Sequence, residues 1–310
     1  MKGVARRPDW LRKGKPMTAG VVASRARIAG LGLHTVCESA RCPNVSECFR
    51  SGNATFLIMG DRCTRSCGFC AVGRGSLVEP DPREGSRIAE YMARASIRYA
   101  VITSVTRDDL PDGGAEHFCR VVRGIRRELP RVGIELLVPD FLGSRESVEK
   151  VAALPIEVFG HNLETVESLY PTVRREAGYA RSLEVLRTAR RAGNARIKSG
   201  VMAGLGETTE ELNALFEDLA AAGVEILTIG QYLRPAWCNV PVASYLRPEE
   251  FEALAEGARA RGIPLVQADP YVRSSYLAER IFHEMADRAT EKNLTRGYRG
   301  NIISDESKTD

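Results

Sequence analysis

The stretch CTRSCGFC, residues 63–70, follows closely on the apolar run TFLIM at residues 55–59. Three thiolates in so short a loop can bind three irons of a cubane iron–sulfur cluster, which leaves the fourth iron open, and an open position is what a catalytic metal site needs. A zinc knuckle and a disulfide are the other interpretations of this loop. A zinc site would need a fourth Cys or His close by, whereas the nearest later histidine is His117, far along the sequence.

Beyond this loop, short apolar runs alternate with amphipathic helical patterns. The runs predict strands at residues 55–59, 99–103, 134–139, 157–160, 196–202 and 226–229. The helical patterns cover residues 87–95, 115–128, 144–153, 183–192 and 209–222. This alternation predicts an α/β fold with a parallel sheet buried on both faces, and six units are too few for a closed eight-stranded barrel. We therefore expect a partial (β/α)6 TIM-like barrel, with the cysteine loop at the carboxyl end of its first strand.

The chain divides into three zones. Residues 1–52 form a head rich in Arg, Gly and Cys, for which we expect irregular structure, and residues 53–232 form the partial barrel. Residues 233–310 hold a further helix, a short apolar segment and a polar end at 297–310. We expect the two flanking zones to be extensions of the barrel.

A second cysteine set, CESARCPNVSEC at residues 37–48, precedes the first strand. This set again has three cysteines, Cys37, Cys42 and Cys48, and no obvious fourth ligand. One interpretation is a structural metal that orders the head, because a small segment gains stability from a metal. The other is an auxiliary iron–sulfur cluster.

Composition places limits on the function. The chain has 310 residues, eight cysteines and a formal net charge of +4. It shows no feature of a nucleic-acid-binding protein, and no apolar run approaches the ~20 residues that span a membrane. Because the basic N-terminus has no apolar core and is not a secretory signal, we expect a cytoplasmic, reducing location in which cysteines serve as ligands or thiols. Two basic clusters at helical spacing, residues 123–127 and 187–191, fit a solvated helix face or a docking surface for an acidic partner.

The spacing Cys-x3-Cys-x2-Cys, with Phe69 before the last cysteine, resembles the radical S-adenosylmethionine superfamily. The spacing Cys-x4-Cys-x5-Cys ahead of it resembles the lipoyl synthase family more specifically. The likeness extends from Pro8 to Glu279 through the following motifs: ATFLIMG at 54–60, VTRDDLPDGG at 105–114, HNLET at 161–165, KSG at 198–200, GLGET at 204–208, TIGQYL at 228–233 and RSSY at 273–276.

The resemblance implies two [4Fe-4S] clusters and S-adenosylmethionine as cofactors. Cys63, Cys67 and Cys70 would hold the first cluster, whose open iron binds S-adenosylmethionine and cleaves it to a 5′-deoxyadenosyl radical. Cys37, Cys42 and Cys48 would hold the auxiliary cluster. Phe69, Asn162, Glu164 and Arg174 are the candidate contacts to S-adenosylmethionine, with Arg174 suited to its carboxylate.

Ser275 is the candidate fourth ligand of the auxiliary cluster and a catalytic residue, because the family places the serine before the Tyr of RSSY there. Without the resemblance, the preferred interpretation is that Ser274 and Ser275 cap or turn the chain before a helical segment at 276–286. Cys119 fits a core position, and Cys238 fits either a loop thiol near the site or an ordinary loop residue.

The resemblance implies insertion of two sulfur atoms, at carbons 6 and 8 of a protein-bound octanoyl-lysine, with sulfide from the auxiliary cluster. The expected partners are octanoylated lipoyl carrier domains (2-oxoacid dehydrogenase E2 or glycine cleavage H protein), an electron donor such as flavodoxin or ferredoxin, and an iron–sulfur cluster carrier for repair. The alternative is another radical S-adenosylmethionine enzyme that inserts sulfur. A non-catalytic electron carrier would need closed, four-cysteine clusters.

Overall fold

The computed structural model describes residues 7–12, 14, 18–50, 54–276 and 278. The described residues up to Tyr276 form one compact unit. Apart from Tyr276 and Ala278, the predicted helical segment 276–286 and the polar end 297–310 lie outside the described residues.

One sheet of eight strands organises the described chain, and its order in space is its order in sequence. The first two strands pair antiparallel and all later neighbours pair parallel. The strands are β1 (His34–Thr35), β2 (Thr55–Ile58), β3 (Tyr99–Ser104), β4 (Gly133–Leu137), β5 (Val158–Gly160), β6 (Arg196–Ala203), β7 (Ile226–Gln231) and β8 (Leu265–Asp269). Among the described residues β1 and β8 do not pair, so the sheet is open.

Helices cross over between the parallel strands. The head contributes α1 (Ala19–Gly30), α2 (Val36–Ser39) and α3 (Val45–Arg50), and the barrel contributes α4 (Glu84–Ala95), α5 (Ala115–Glu128), α6 (Arg145–Ala152), α7 (Tyr170–Val173), α8 (Tyr179–Ala192) and α9 (Thr209–Ala221). The last is α10 (Pro248–Ala260), between β7 and β8. The α9 helix begins with a capping box in which Thr208 and Glu211 satisfy each other's backbone N–H groups.

The register gives the sheet two different faces. Phe56, Ile102, Leu136 and Phe159 are paired in turn across β2 to β5 and are fully buried in the apolar core. Their neighbours along the strands point to the opposite face, because successive side chains alternate. On that face, residues of β2, β3, β4, β6 and β7 line a single cavity, namely Leu57, Thr103, Leu137, Met202 and Gly230. The sheet therefore curves around this cavity as a partial barrel.

A buried ion pair lies on the cavity face, nearer the start of the strands. Lys198 Nζ lies 2.7 Å from Glu135 Oε1, and both side chains are almost fully buried. Tyr99 Oη donates to the other carboxylate oxygen of Glu135 at 3.1 Å. The carboxylate thus has a charged and a neutral partner, which buried ions require. This group closes the floor of the barrel below the cavity.

The predicted fold class is confirmed, and two of its details are corrected. The head is not irregular in its described part, because it holds α1, α2, α3 and the antiparallel strand β1. The short apolar segment predicted after residue 233 is β8, which adds a parallel strand beyond the six predicted units. The sheet is thus the six-unit barrel with one extra strand on each side.

Candidate functional site

A cavity of about 540 Å³ lies at the carboxyl ends of the parallel strands. Ligands bind at this end of parallel barrels because the loops that follow the strands converge there. The cavity walls contain cysteines of both sets, together with residues of the HNLET and RSSY motifs. Segments that are far apart in the sequence therefore meet in one chamber.

The first cysteine set is brought together in the loop after β2. Cys63, Cys67 and Cys70 all line the cavity, and none of them is in a disulfide. Burial raises the pKa of the Cys67 thiol to about 12 and that of Cys70 to about 11. Desolvated thiolates without a countercharge are costly, and bound metal cations would supply that countercharge.

Backbone groups in the same loop are already directed at sulfur. The N–H of Arg65 donates to Cys63 Sγ and that of Val72 donates to Cys70 Sγ, each at 3.4 Å. Hydrogen bonds of this kind tune iron–sulfur clusters. Across the described residues, no three His, Cys, Asp or Glu side chains are gathered as tightly as one metal ion would require. A cubane is larger than one ion and needs its ligands farther apart.

Arg65 anchors the cysteine loop to two later loops. Its guanidinium donates to Asp108 at 2.7 and 2.9 Å and to Asp140 at 3.0 and 2.7 Å. The charge of Arg65 outweighs the effect of burial on Asp140, and the pKa of that carboxyl is held at about 2. The charged loop after β3 therefore holds the site in shape, while the neighbouring Arg107 pairs with Asp109.

The opposite side of the cysteine loop is held by the segment after β7. Asn239 Nδ2 donates to the backbone oxygens of Gly68 and Cys70 at 3.2 and 2.8 Å. Gly68 is packed so closely that a Cβ there would lie 2.8 Å from Thr172 O and 2.8 Å from Val240 Cγ1. The glycine is needed for this close approach.

The predicted contacts to S-adenosylmethionine also line the cavity. Asn162 and Glu164 follow β5, and Asn162 Nδ2 donates to Glu164 Oε1 at 3.0 Å. Glu164 has a left-handed φ of 66°, and it is held there because its N–H donates to Gly200 O while its C=O accepts from Met202 N. Burial raises the pKa of its carboxyl, although the charge of Arg174 opposes that rise. Backbone strain of this kind is typical of functional sites.

Arg174 is a buried cation in the cavity wall. Its Nη1 donates to Asn162 O at 2.8 Å and to Tyr170 Oη at 3.0 Å, and the guanidinium lies 5.3 Å from the Tyr170 ring centre. Its Nε is buried without a hydrogen-bond partner among the described residues. A guanidinium in a cavity wall fits a carboxylate ligand. Phe69 packs against Val173 and Tyr232.

His161, which sequence reasoning did not single out, also lines this side of the cavity. Burial lowers its pKa to about 4, so the ring is neutral at pH 7. Its Nδ1 lies 2.9 Å from Val138 O and must be the donor, because a carbonyl only accepts. The buried Nε2 is then an acceptor, and it has no partner among the described residues.

The second cysteine set meets the RSSY motif across the cavity. Cys37 and Cys42 line the cavity, whereas Cys48 lies on α3 and is not part of its wall. Thr55 Oγ1 donates to Ser275 Oγ at 2.7 Å. Thr55 also hydrogen-bonds the Cys37 thiol, whose pKa burial nevertheless raises to about 11. Ser275 is therefore separated from Cys37 by one shared side chain.

Comparisons with known proteins agree with this geometry. The family model described as "Radical SAM superfamily" matches residues 57–219. A lipoyl synthase of Nitratidesulfovibrio vulgaris (strain Hildenborough) is 46% identical over 284 residues, which are 92% of this chain and 95% of that protein. A lipoyl synthase of Geobacter metallireducens is 49% identical over 278 residues, covering 89% and 98% of the two chains.

The chain belongs to the lipoyl synthase family. Solved structures with the same fold are more distant. An FeFe-hydrogenase maturase from Carboxydothermus hydrogenoformans superposes with a TM-score of 0.55 at 14% identity, over 74% of this chain and 65% of the other. Methylornithine synthase gives a TM-score of 0.52 at 14% identity, over 81% and 83%. These structures bear on the fold alone, whereas the lipoyl synthases carry the family assignment.

The remaining candidates of the lipoyl synthase sequence lie away from the cavity wall. Cys119 is fully buried in α5 and is a core residue, as one interpretation held. Cys238 is exposed in the loop after β7 and is not among the cavity residues. The arginines of the two basic clusters each lie within 4.0 Å of a carboxylate, which favours a solvated, ion-paired surface (Arg123, Arg126, Arg127, Arg187, Arg190, Arg191). None of the described helices is both long and apolar enough to cross a bilayer.

Sequence reasoning missed four residues that hold this lipoyl synthase site, namely Thr55, Arg65, Asp140 and Asn239. Each acts through a partner far away in the sequence: Thr55 and Ser275 are 220 residues apart, and Asn239 and Cys70 are 169 apart. Arg65 alone carried a local signal, because a charged residue between two cluster cysteines must find a partner.

Proposed function

We propose that this chain inserts two sulfur atoms, at carbons 6 and 8 of an octanoyl group amide-linked to a carrier-protein lysine, and so forms lipoyl-lysine. One observation carries the proposal, namely that a single cavity is lined by Cys63, Cys67 and Cys70 and also by Cys37, Cys42 and Ser275. A radical generated at one cluster and sulfur supplied by another must meet at one substrate carbon. A shared chamber allows that meeting.

We assign the first [4Fe-4S] cluster to Cys63, Cys67 and Cys70. S-adenosylmethionine would be held by Arg174 at its carboxylate, by Asn162 and Glu164 at its amino or ribose groups, and by Phe69 as an apolar wall. When bound, the cluster and S-adenosylmethionine supply the radical that removes a hydrogen atom from an unactivated carbon. The position of the Arg174 guanidinium in the cavity wall supports the carboxylate assignment.

The chain's own part in this step is to position the reactants and to keep water out. Arg65 and Asn239 clamp the cysteine loop from two sides, and the buried ring of His161 is itself neutral at pH 7. Fixed geometry brings the reacting atoms together without further reorganisation.

We assign the auxiliary [4Fe-4S] cluster, which is the sulfur-donating substrate, to Cys37, Cys42, Cys48 and Ser275. A serine oxygen is a hard ligand and a poor match for iron that prefers thiolate. That weakness suits a ligand that must leave when a cluster sulfide is transferred to carbon. The position of Ser275 beside Thr55, which contacts Cys37, supports the assignment.

The acyl chain has apolar walls to run along. Leu57, Val138, Val201, Tyr232 and Leu233 line the cavity. A linear octanoyl arm gains free energy by burial against such side chains. Carbons 6 and 8 lie near its free end, which is the end that enters a deep site first. A carrier-bound substrate therefore fits a cavity whose clusters lie inside.

The proposal includes a division of labour along the chain. Residues 1–52 would carry the auxiliary-cluster cysteines, residues 53–232 the radical-generating barrel, and residues 233–310 the closing segment with Ser275. The partners would be octanoylated 2-oxoacid dehydrogenase E2 or glycine cleavage H protein, a flavodoxin- or ferredoxin-type reductant, and a cluster carrier for repair. Six ligand thiols need a reducing compartment, for which we propose the cytoplasm.

The test is an anaerobic assay of the cluster-loaded protein with S-adenosylmethionine, a reductant and an octanoylated carrier domain. We expect 5′-deoxyadenosine and a carrier heavier by two inserted sulfur atoms, both seen by mass spectrometry. Free octanoic acid should be a poor substrate. Cleavage of S-adenosylmethionine with no sulfur on the carrier would favour another radical sulfur-inserting enzyme, and no cleavage would reject both.

A further inference from the structure

Two adjacent serines of the RSSY motif contact opposite sides of the cavity. Asn162 Nδ2 donates to Ser274 Oγ at 2.6 Å, although the two residues are 112 positions apart. Thr55 Oγ1 donates to the next residue, Ser275, at 2.7 Å. One peptide unit therefore joins a contact on the S-adenosylmethionine side to a contact on the auxiliary-cluster side.

The contact between Ser274 and Asn162 is protected by a glycine in β6. A Cβ at Gly200 would lie 2.7 Å from Asn162 Oδ1 and 2.9 Å from Ser274 Oγ. Either distance would force a neighbour to move. Only a residue without a side chain leaves room for this contact.

The amide of Asn162 is fully oriented by its two acceptors. One N–H group points to Glu164 Oε1 at 3.0 Å and the other to Ser274 Oγ at 2.6 Å. With both donors used, Oδ1 is the atom left to accept from a ligand, and the hydroxyl of Ser274 keeps a hydrogen to donate. Loss of Ser274 would release the amide to rotate.

We propose that Ser274 is a positioning residue that couples the two cofactor sites, so that the affinity for S-adenosylmethionine depends on whether the auxiliary cluster holds Ser275. The proposal rests on the function proposed above. Because a peptide plane is rigid, a shift of Ser275 on release from iron moves Ser274 and loosens Asn162. Linkage makes the effect reciprocal for binding. Removal of two hydrogen atoms needs two cleavages of S-adenosylmethionine. This coupling would help methionine and 5′-deoxyadenosine, the products of the first cleavage, to leave after the first sulfur transfer.

The test measures the affinity for S-adenosylmethionine in four proteins, all loaded with the first cluster. They are the unsubstituted chain, the single variants Ser274→Ala and Cys42→Ala, and the double variant. Cys42→Ala removes a ligand of the auxiliary cluster. Equilibrium dialysis gives each Kd, and the change in the electron paramagnetic resonance spectrum of the first cluster on binding gives a second readout. We expect Ser274→Ala and Cys42→Ala each to weaken binding by about threefold to tenfold, the worth of one hydrogen bond. The double variant should be no weaker than either single variant.

Three further variants separate coupling from general damage. Ser274→Thr keeps the hydroxyl and should restore both affinity and coupling. Gly200→Ala displaces the same contact from the other side and should reproduce the effect of Ser274→Ala. Tyr276→Phe removes a hydrogen bond of the same segment, to Glu47 Oε1, and should leave the affinity unchanged. Iron content and thermal midpoint report folding in every case.

Unchanged affinity in Ser274→Ala, or additive losses in the double variant, would overturn the proposal. Its failure is distinguishable from failure of the proposed function, because the assay measures binding without carrier or product. Coupling with no lipoyl product would reject only the proposed reaction.

Discussion

The guanidinium of Arg65 and the carboxylate of Asp140, 75 residues apart in the sequence, are joined by two hydrogen bonds of 3.0 and 2.7 Å. Arg65 lies between two cluster cysteines, and Asp140 lies in the loop after β4. Both side chains are at most 4% exposed. The pair therefore ties the cysteine loop to the barrel with a bidentate ion pair in a low-dielectric setting.

Replacing Arg65 by methionine should destabilise the fold by about 3 to 5 kcal/mol, because it leaves a buried carboxylate with its main countercharge removed. Urea unfolding of anaerobically prepared protein measures the loss, and iron content should fall with it. Arg145→Met is the matched control, because Arg145 is 75% exposed and its pair with Glu149 lies at the surface. Similar stabilities of the two variants would contradict the anchoring role of Arg65.

The buried neutral His161 should make stability depend on pH. Its folded pKa of about 4 lies below the ordinary 6.5, so the unfolded chain takes up the proton first as the pH falls. The stabilisation is complete above pH 6.5 and is lost as the pH falls through about 4, a difference of about 3 kcal/mol. His161→Gln, which does not titrate, is the comparison. Parallel pH profiles of unfolding free energy for the two proteins would show that His161 is not held neutral.

Local sequence patterns were enough for the six barrel strands, because each buried strand is a short apolar run between turn residues. They were not enough for the edge strands. The β1 strand has two residues and β8 is only partly buried, so neither carries a full apolar pattern. The α1 helix was missed because only Val21, Ser24 and Ile28 are buried in its twelve residues.

The candidate site was likewise predictable from the sequence only in part. The cysteine sets are contiguous and their spacing is visible, whereas the contacts of Ser275 with Thr55 and of Ser274 with Asn162 form only when the chain folds. Gly68 illustrates the limit: the sequence shows a glycine between two cysteines, whereas only the structure shows the close approach by the end of α7. No local pattern reports which distant backbone will pack against a glycine.

Arg174→Lys should weaken the binding of S-adenosylmethionine by about tenfold or more, because lysine cannot reproduce the planar guanidinium fork. Equilibrium dialysis with the cluster-loaded protein measures the change. Arg175→Lys is the neighbouring control, since Arg175 is exposed. Equal losses in the two variants would point to a general charge effect and away from a carboxylate contact.

The two cysteine sets should fail differently. Cys67→Ala should abolish reductive cleavage of S-adenosylmethionine, because it removes a ligand of the cluster that binds it. Cys42→Ala should keep some cleavage but lose sulfur insertion. Counting 5′-deoxyadenosine and lipoyl product in the same reaction separates the two outcomes. Normal lipoyl formation by Cys42→Ala would show that the second set is only a structural staple.

Ser275→Ala should keep the fold and the first cluster but lose most of the lipoyl product, because the auxiliary cluster loses its fourth, displaceable ligand. Mössbauer and electron paramagnetic resonance spectra should show the first cluster intact and the auxiliary cluster altered. Ser275→Cys should bind that cluster more tightly and yet transfer sulfur more slowly, since a thiolate leaves iron less readily than a hard oxygen.

Ser274→Ala is the matched control for this experiment. Its hydroxyl contacts Asn162 and not the second cysteine set, so saturating S-adenosylmethionine should recover most of its lipoyl formation while Ser275→Ala stays impaired. Each protein molecule should form at most one lipoyl group unless a cluster carrier rebuilds the sulfur source. Full activity of Ser275→Ala with an unaltered auxiliary-cluster spectrum would reject the ligand role, and repeated turnover by the isolated protein would reject the cluster as the source of sulfur.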